Sequence, residues 1–171
     1  FTETQPSLSA DGKTLFFASD RPGGIGSVDL WVCHQQDDGK WTKPVNLGDT
    51  VNSSGSEMSP FFHPDGHTLY LASDGHIGLG AYDLFVCRLD SNGRWTKPEN
   101  LGYPINTNKD EFGLIVNPSG NRAYFASNID PASGRDIYYF DLPETLRPDQ
   151  VSFMKGVVYD RETKRRLRAD F

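Results

Sequence analysis

The sequence predicts an all-β fold of β-propeller blades, and three observations carry that expectation. First, the stretch Trp41-Thr42-Lys43-Pro44-Val45-Asn46-Leu47-Gly48 returns as Trp95-Thr96-Lys97-Pro98-Glu99-Asn100-Leu101-Gly102, an offset of 54 residues. Second, that offset also superposes Asp11-Gly12 on Asp65-Gly66, Ala18-Ser19-Asp20 on Ala72-Ser73-Asp74, and Asp29-Leu30-Trp31-Val32-Cys33 on Asp83-Leu84-Phe85-Val86-Cys87, with no gap between residues 4–57 and 58–111. Third, each unit holds several short β-forming runs parted by turn residues. A period near fifty with several strands per unit marks a propeller or array.

The first repeat covers about residues 3–56. Residues 5–9 read as a first strand, and Asp11-Gly12 as a tight turn, because Asp and Gly tolerate the positive φ a hairpin demands. Residues 14–18 form a second strand rich in β-formers, residues 19–27 a loop with three glycines and a proline, and residues 28–34 a third strand. After a turn at residues 37–40, residues 41–47 read as a fourth, outer strand, where Pro44 is tolerated because an edge can spare an amide donor. The second repeat, residues 57–110, follows suit with strands at 59–63, 68–72, 82–89 and 95–101. The third, residues 111–141, has strands at 112–117, 122–127 and 136–141 but no Trp-Thr-Lys-Pro strand after them. Residues 1–142 are thus expected as blades, and residues 143–150, with two prolines and several charges, as an exit linker.

The missing fourth strand has an implication. A closed propeller pairs every blade's outer edge, and three blades cannot close a ring. The expectation is that these are the last three blades of a larger propeller, completed by upstream blades or by other copies. Phe1, which is not an initiator methionine, agrees with a piece of a longer protein. Residues 151–171 differ in character: residues 151–160 read as a strand, 161–164 as a turn, and 167–171 as the start of a second strand with the alternation of a half-buried sheet.

Charge bounds the function. The net charge is −6, and residues 151–171 carry six Lys/Arg against three Asp/Glu, so the first 150 residues carry −9. That balance argues against a nucleic-acid surface. No run of 18 apolar residues is present, so no membrane-spanning segment is expected. There is no signal-peptide pattern, which says nothing of location. Cys33 and Cys87 occupy one position in successive repeats, too far apart for a disulfide if the repeats are blades, and are expected as separate inward-facing thiols.

Candidate chemistry is sparse. Asp29, Asp83 and Asp136 share one repeat position, and Glu3, Glu57 and Glu111 another. A catalytic site needs dissimilar groups with pKa values pushed apart, whereas a residue repeated in every blade does one local job, such as accepting N–H bonds at a strand start. His63 and His67 flank one hairpin, with His76 near, but the other repeats place Ser9, Lys13, Asn117 and Asn121 there; exposed turn residues are expected rather than a zinc site. Ser9–Thr14 is one residue too short for the Asp-box of sialidases, and Gly23-Gly24-Ile25-Gly26 lacks the ending of a phosphate loop. No catalytic, metal or cofactor residues are expected. Trp31, Trp41 and Trp95 are expected to pack between blades, with partial exposure open to the two that start outer strands. The irregular loops 21–27, 75–81 and 129–135 recur at one place in each unit and should share a rim, which makes Arg21, Ile25, His76, Ile77, Ile129 and Arg135 the candidate contact residues.

The pattern Pro-x-x-(Ser/His)-x-Asp-Gly-x-Thr-Leu-(Phe/Tyr), a Ser-Asp loop and then Asp-Leu-(Trp/Phe) resembles the PD-type propeller repeat of TolB-like periplasmic proteins and of OmpA-family envelope proteins of Bacteroidetes-type bacteria. The resemblance covers residues 3–141, with departures at Ala10, Ser119 and Asn128. Residues 155–167, Lys-Gly-Val-Val-Tyr-Asp-Arg-Glu-Thr-Lys-Arg-Arg-Leu, resemble the opening of a carboxypeptidase-regulatory-like β-sandwich, truncated here. Propeller followed by regulatory-like sandwich resembles PorE-like envelope proteins associated with type IX secretion. That resemblance implies a non-catalytic protein–protein interaction scaffold in the periplasm, associated with the outer membrane, whose partners are other envelope proteins. It implies peptidoglycan binding only through an OmpA-like domain outside these residues. The competing expectations are a glycan-binding or hydrolytic propeller acting through its central pore, or the gating propeller of a larger hydrolase.

Overall fold

The computed structural model describes residues 1–130, 132, 134–153 and 157–166. Three antiparallel sheets follow one another along the chain, in the manner of propeller blades. The first is β1 (Glu3–Leu8), β2 (Thr14–Ser19), β3 (Asp29–His34) and β4 (Val45–Asn46), in that spatial order. The second is β5 (Glu57–Phe62), β6 (Thr68–Ser73), β7 (Asp83–Arg88) and β8 (Glu99–Asn100), again in order. The third holds β9 (Glu111–Val116), β10 (Arg122–Ser127) and β11 (Asp136–Asp141). Register repeats with the sequence: Leu15 pairs with Cys33 in the first sheet and Leu69 with Cys87 in the second.

Strand alternation builds the core. Successive side chains leave opposite faces of a strand, so the middle blade serves two neighbours. Leu69, Leu71, Phe85 and Cys87 pack with Phe16, Ala18, Leu30 and Val32 of the first blade. Tyr70, Ala72, Leu84 and Val86 pack with Leu114, Val116, Ala123 and Phe125 of the third. Hence every residue of β6 is buried, whereas β11 alternates between exposed and half-buried. Both cysteines are free and buried, as expected.

The outer strands are shorter than expected. Only two residues of each pair, Trp31 with Asn46 and Val32 with Val45 in the first sheet, and Trp41 and Trp95 make isolated bridges to Gln35 and Leu89. Pro44 and Pro98 lack the N–H a continuous ladder needs, so the intervening residues detach. Trp95 does pack between blades, edge-on to Phe16 and Phe62 at centroid distances of 6.0 and 6.2 Å. Trp31 instead is buried with Phe17 and Cys33 in a separate cluster of the first blade, and Trp41 is exposed.

Each inner strand carries a bulge. Gln5, Ser59 and Gly113, at one repeat position, have φ of 52°, 50° and 62°. Glycine adopts that conformation freely, and the other two are held in it by bonds to the neighbouring blade. Gln5 Oε1 accepts the Ser59 N–H at 2.8 Å, and Ser7 Oγ accepts the Phe62 N–H at 2.9 Å.

Residues 143–150, expected as an exit linker, lie packed on the second blade. Leu142 and Leu146 are buried in the core between the second and third blades, and a 3-10 turn spans Glu144–Leu146. Beyond it, residues 151–153 and 157–158 have no regular structure, so the expected strand over 151–160 is not seen in its described part. The turn after it is present: Asp160 accepts from the Glu162 and Thr163 amides and the Thr163 hydroxyl, and Tyr159 bridges Arg166. The strand expected from residue 167 lies outside the described residues, as do Lys155 and Gly156.

Candidate functional site

The repeated carboxylates hold loops. Asp29 is buried at the start of β3 and accepts the N–H groups of Ile25 and Gly26 at 2.5 and 2.9 Å and the Asn46 side-chain amide at 2.8 Å. Asp83 accepts the N–H groups of Leu79 and Gly80 at 2.8 and 3.0 Å. Each shapes the loop before its strand by the same Asx geometry. Asp136 is exposed, and among the described residues the third sheet has no outer strand beyond β11.

The glutamates work one layer further in. Glu57 is fully buried and accepts from the Ser53 amide and hydroxyl at 2.9 and 2.6 Å and from the Ser73 hydroxyl at 2.7 Å. Glu111 repeats this with Thr107 and Ser127, and burial pushes its carboxyl above the usual glutamate range against the opposing pull of the Thr107 bonds. Glu3 is exposed and pairs with Arg21.

Sequence reasoning missed two residues. Asn52 and Asn106, 54 positions apart, are buried and clamp the backbone of Leu30 and Leu84. Asn106 Oδ1 accepts the Leu84 N–H at 2.8 Å, and its amide donates to Leu84 O at 2.8 Å and to Asn100 Oδ1 at 2.7 Å. Asn52 does the same to Leu30 and Asn46. Their signal was available: Val51-Asn52-Ser53 and Ile105-Asn106-Thr107 keep the phase of the repeat, each ending four residues before its buried glutamate.

His63 corrects the expectation of an exposed turn residue. Its side chain is 0% exposed, with Nδ1 accepting the Asp65 N–H at 3.2 Å, so the hairpin turn is folded around the imidazole. Asp65 also accepts from the amides of His67, Thr68 and Asp149 and from the Thr68 hydroxyl. Burial opposes ionisation of Asp65, but the adjacent His63 imidazole and the bonds donated by the His67 and Thr68 amides and the Thr68 hydroxyl outweigh it and hold the carboxyl well below its usual range. Among the described residues no group of three or more His, Cys, Asp or Glu is arranged to hold a metal ion.

The loop rim keeps part of the candidate set. Ile77 is 96% exposed, and Ile25 and Ile129 are exposed with it; Leu79 is a further exposed apolar tip that the sequence did not single out. Arg135 is exposed, with its guanidinium over the Phe112 ring at 4.8 Å. Arg21 is turned inward: its guanidinium lies 5.2 Å from the rings of Phe1, Phe17 and Trp31, and its side chain is 14% exposed. The ion pair and three aromatic faces favour that site over solvent. His76 is also tied down, with Nε2 2.8 Å from Val51 O and its ring against Phe85.

Of the clefts in the surface, two bear on function. On the axial side, residues 5–7, 59–61 and 113–115 of the three inner strands line a groove of about 290 Å³. On the hairpin side, a cleft of about 440 Å³ opens between the first two blades over Phe16, Phe62 and Trp95, with Asp11, Thr14 and His34 on its wall.

No protein-family model and no curated protein matches the chain. Solved structures do. TolB from Acinetobacter baumannii superposes with a TM-score of 0.54 at 14% identity, over 84% of this chain and 30% of that one. Hydrazine synthase from Kuenenia stuttgartiensis superposes with a TM-score of 0.56 at 16% identity, over 82% of this chain and 24% of that one. The chain therefore spans about a third or less of the structures it resembles, and at such identity the likeness is one of fold. The fold is all-β and of the TolB-like propeller kind.

Proposed function

We propose that the chain is a non-catalytic protein–protein interaction scaffold of the bacterial cell envelope, acting in the periplasm in association with the outer membrane. Its site is the loop rim, where Ile25, Ile77, Leu79 and Ile129 are exposed, the loops of the first three being braced by Asp29 and Asp83. The observation that carries the reading is the use of the repeated acids: Asp29, Glu57 and Glu111 have both oxygens occupied by loop and strand-start bonds, and Asp83 has one. Acids so committed are structural, and apolar tips on rigid loops are the usual anchors of a protein interface. The TolB-like fold supports a periplasmic interaction propeller; type IX secretion as the setting and a regulatory-like sandwich beginning near residue 151 rest on the sequence resemblance to PorE-like proteins alone. Peptidoglycan anchoring belongs to a domain outside these residues.

The pore reading has less support. The axial groove residues at 5–7, 59–61 and 113–115 include no ionisable side chain, and acid–base or glycosidase chemistry needs at least a carboxylate pair. The test is capture from envelope extracts with the wild-type chain and an Ile25→Asp/Ile77→Asp variant. The reading expects one set of envelope proteins retained by the first and lost by the second at unchanged thermal stability. Equal capture by both would count against the rim.

A further inference from the structure

The two interfaces between blades differ on their hairpin side, and the difference describes a ligand. At the interface between the second and third blades, the chain after β11 crosses over to the second blade and fills the cleft. Tyr70 donates its hydroxyl to Leu146 O at 2.7 Å, Arg88 donates to the carbonyls of Thr145 and Arg147 at 3.0 and 3.4 Å, and Asp65 Oδ2 accepts the Asp149 N–H at 3.0 Å. Leu146 is buried beneath. Contact is close enough that a Cβ built on Gly120 would stand 3.2 Å from Pro148 O.

At the interface between the first and second blades the corresponding arm does not cross. It folds back on its own blade, with Thr96 N–H donating to Arg88 O, and only the Trp95 side chain enters the cleft. Stepping back 54 residues turns Tyr70, Arg88, Asp65 and Gly120 into Phe16, His34, Asp11 and Gly66, all of which line the open cleft. A Cβ built on Gly66 meets nothing within 4 Å. One oxygen of Asp11 is engaged by Ser9 and Lys13. Its other oxygen sits where the Asp65 oxygen takes a peptide N–H, and its negative charge favours a donor or a basic residue there.

We propose that this cleft binds an extended segment of a partner protein of the chemistry of residues 142–149: a leucine presented between prolines, its side chain on the Phe16–Phe62–Trp95 floor and its backbone bonded at the rim by Asp11 and His34. The site deepens the interaction-scaffold reading and rests on it. It lies on the opposite side from the loop rim, so the two can be tested apart. A volume of about 440 Å³ accommodates a leucine side chain with its flanking backbone.

The probe is a synthetic peptide of residues 142–150, titrated into the whole chain and followed by backbone amide NMR. Saturable shifts at residues 9–14, 34 and 62–66 are expected, with a Kd of about 0.1–1 mM, as suits one buried side chain and a few hydrogen bonds. A peptide carrying Leu146→Asp should bind about tenfold more weakly or worse. His34→Arg, which supplies the guanidinium that Arg88 provides at the filled interface, should tighten binding several-fold, and Asp11→Lys should weaken it; both positions are at the surface and leave the core intact. Absence of saturable shifts up to about 10 mM peptide, equal binding of the two peptides, or shifts confined to the second–third interface would overturn the proposal. Failure of rim-dependent capture with peptide binding intact would overturn the rim and leave this site standing.

Discussion

Replacing Asn106 by Ala tests whether side-chain clamps, rather than the short outer strands, hold the outer side of each blade. The structure fixes what is lost. Leu84 N–H has Asn106 Oδ1 as its acceptor and becomes a buried orphan. Leu84 O keeps the Leu101 N–H at 3.0 Å, and Asn100 Oδ1 keeps the Gly102 N–H at 2.7 Å, so those two acceptors lose one partner each but stay satisfied. An orphaned buried donor costs about 1–3 kcal/mol and each of the two lost bonds to a satisfied acceptor about 0.5–1 kcal/mol, giving about 2–5 kcal/mol. With a urea m-value of about 2 kcal/mol/M, the midpoint should fall by about 1–2.5 M at unchanged m. Asn52→Ala should do the same, because Leu30 O keeps Leu47 and Asn46 Oδ1 keeps Gly48. Asn92→Ala, exposed in a turn, is the control and should shift stability by less than about 0.5 kcal/mol. A midpoint shift for Asn106→Ala no larger than the control's would refute the reasoning.

Three further outcomes follow from the same geometry. Tyr70→Phe should cost about 1 kcal/mol and speed amide hydrogen exchange at Leu146 and Arg147, since its hydroxyl tethers Leu146 O. The acid limb of stability should depend on Asp65: its folded carboxyl is held below 3.8, so it stabilises the fold above that value and the gain is lost as pH falls through the depressed folded value. Asp65→Asn should therefore flatten stability against pH below about 4, read by urea titrations at stepped pH. Burial pushes the Cys87 thiol up to about 12 and raises Cys33 as well, so neither should react with a thiol reagent at pH 8 until denaturant unfolds the chain.

Much of this fold was legible because the repeat preserves phase. Once Trp41 and Trp95 set the offset, strand positions, turns and the free cysteines fell into place, and the shared Asp position read correctly as a loop brace at Asp29 and Asp83. What was not legible depended on contacts distant in sequence. Arg21 looks like a loop cation, and only the convergence of Glu3, Phe17 and Trp31 turns it inward. His63 looks like a turn residue, and only the folded hairpin encloses it. Residues 143–150 look solvated because of two prolines and several charges, yet Leu142 and Leu146 anchor them in the core. The left-handed backbone at Gln5 and Ser59 had no glycine to announce it, and only Gly113 at the same position hinted at it.

The central claim is that the loop rim is an interaction surface rather than a support for chemistry. A photo-crosslinking residue placed at Ile77, in the protein as expressed in its own cells, tests it most directly. The account predicts discrete adducts with envelope proteins from Ile77 and none from Val45, exposed on the outer strand β4 away from both the rim and the hairpin-side cleft. Equal, diffuse labelling from both positions, or no adduct from either, would contradict it.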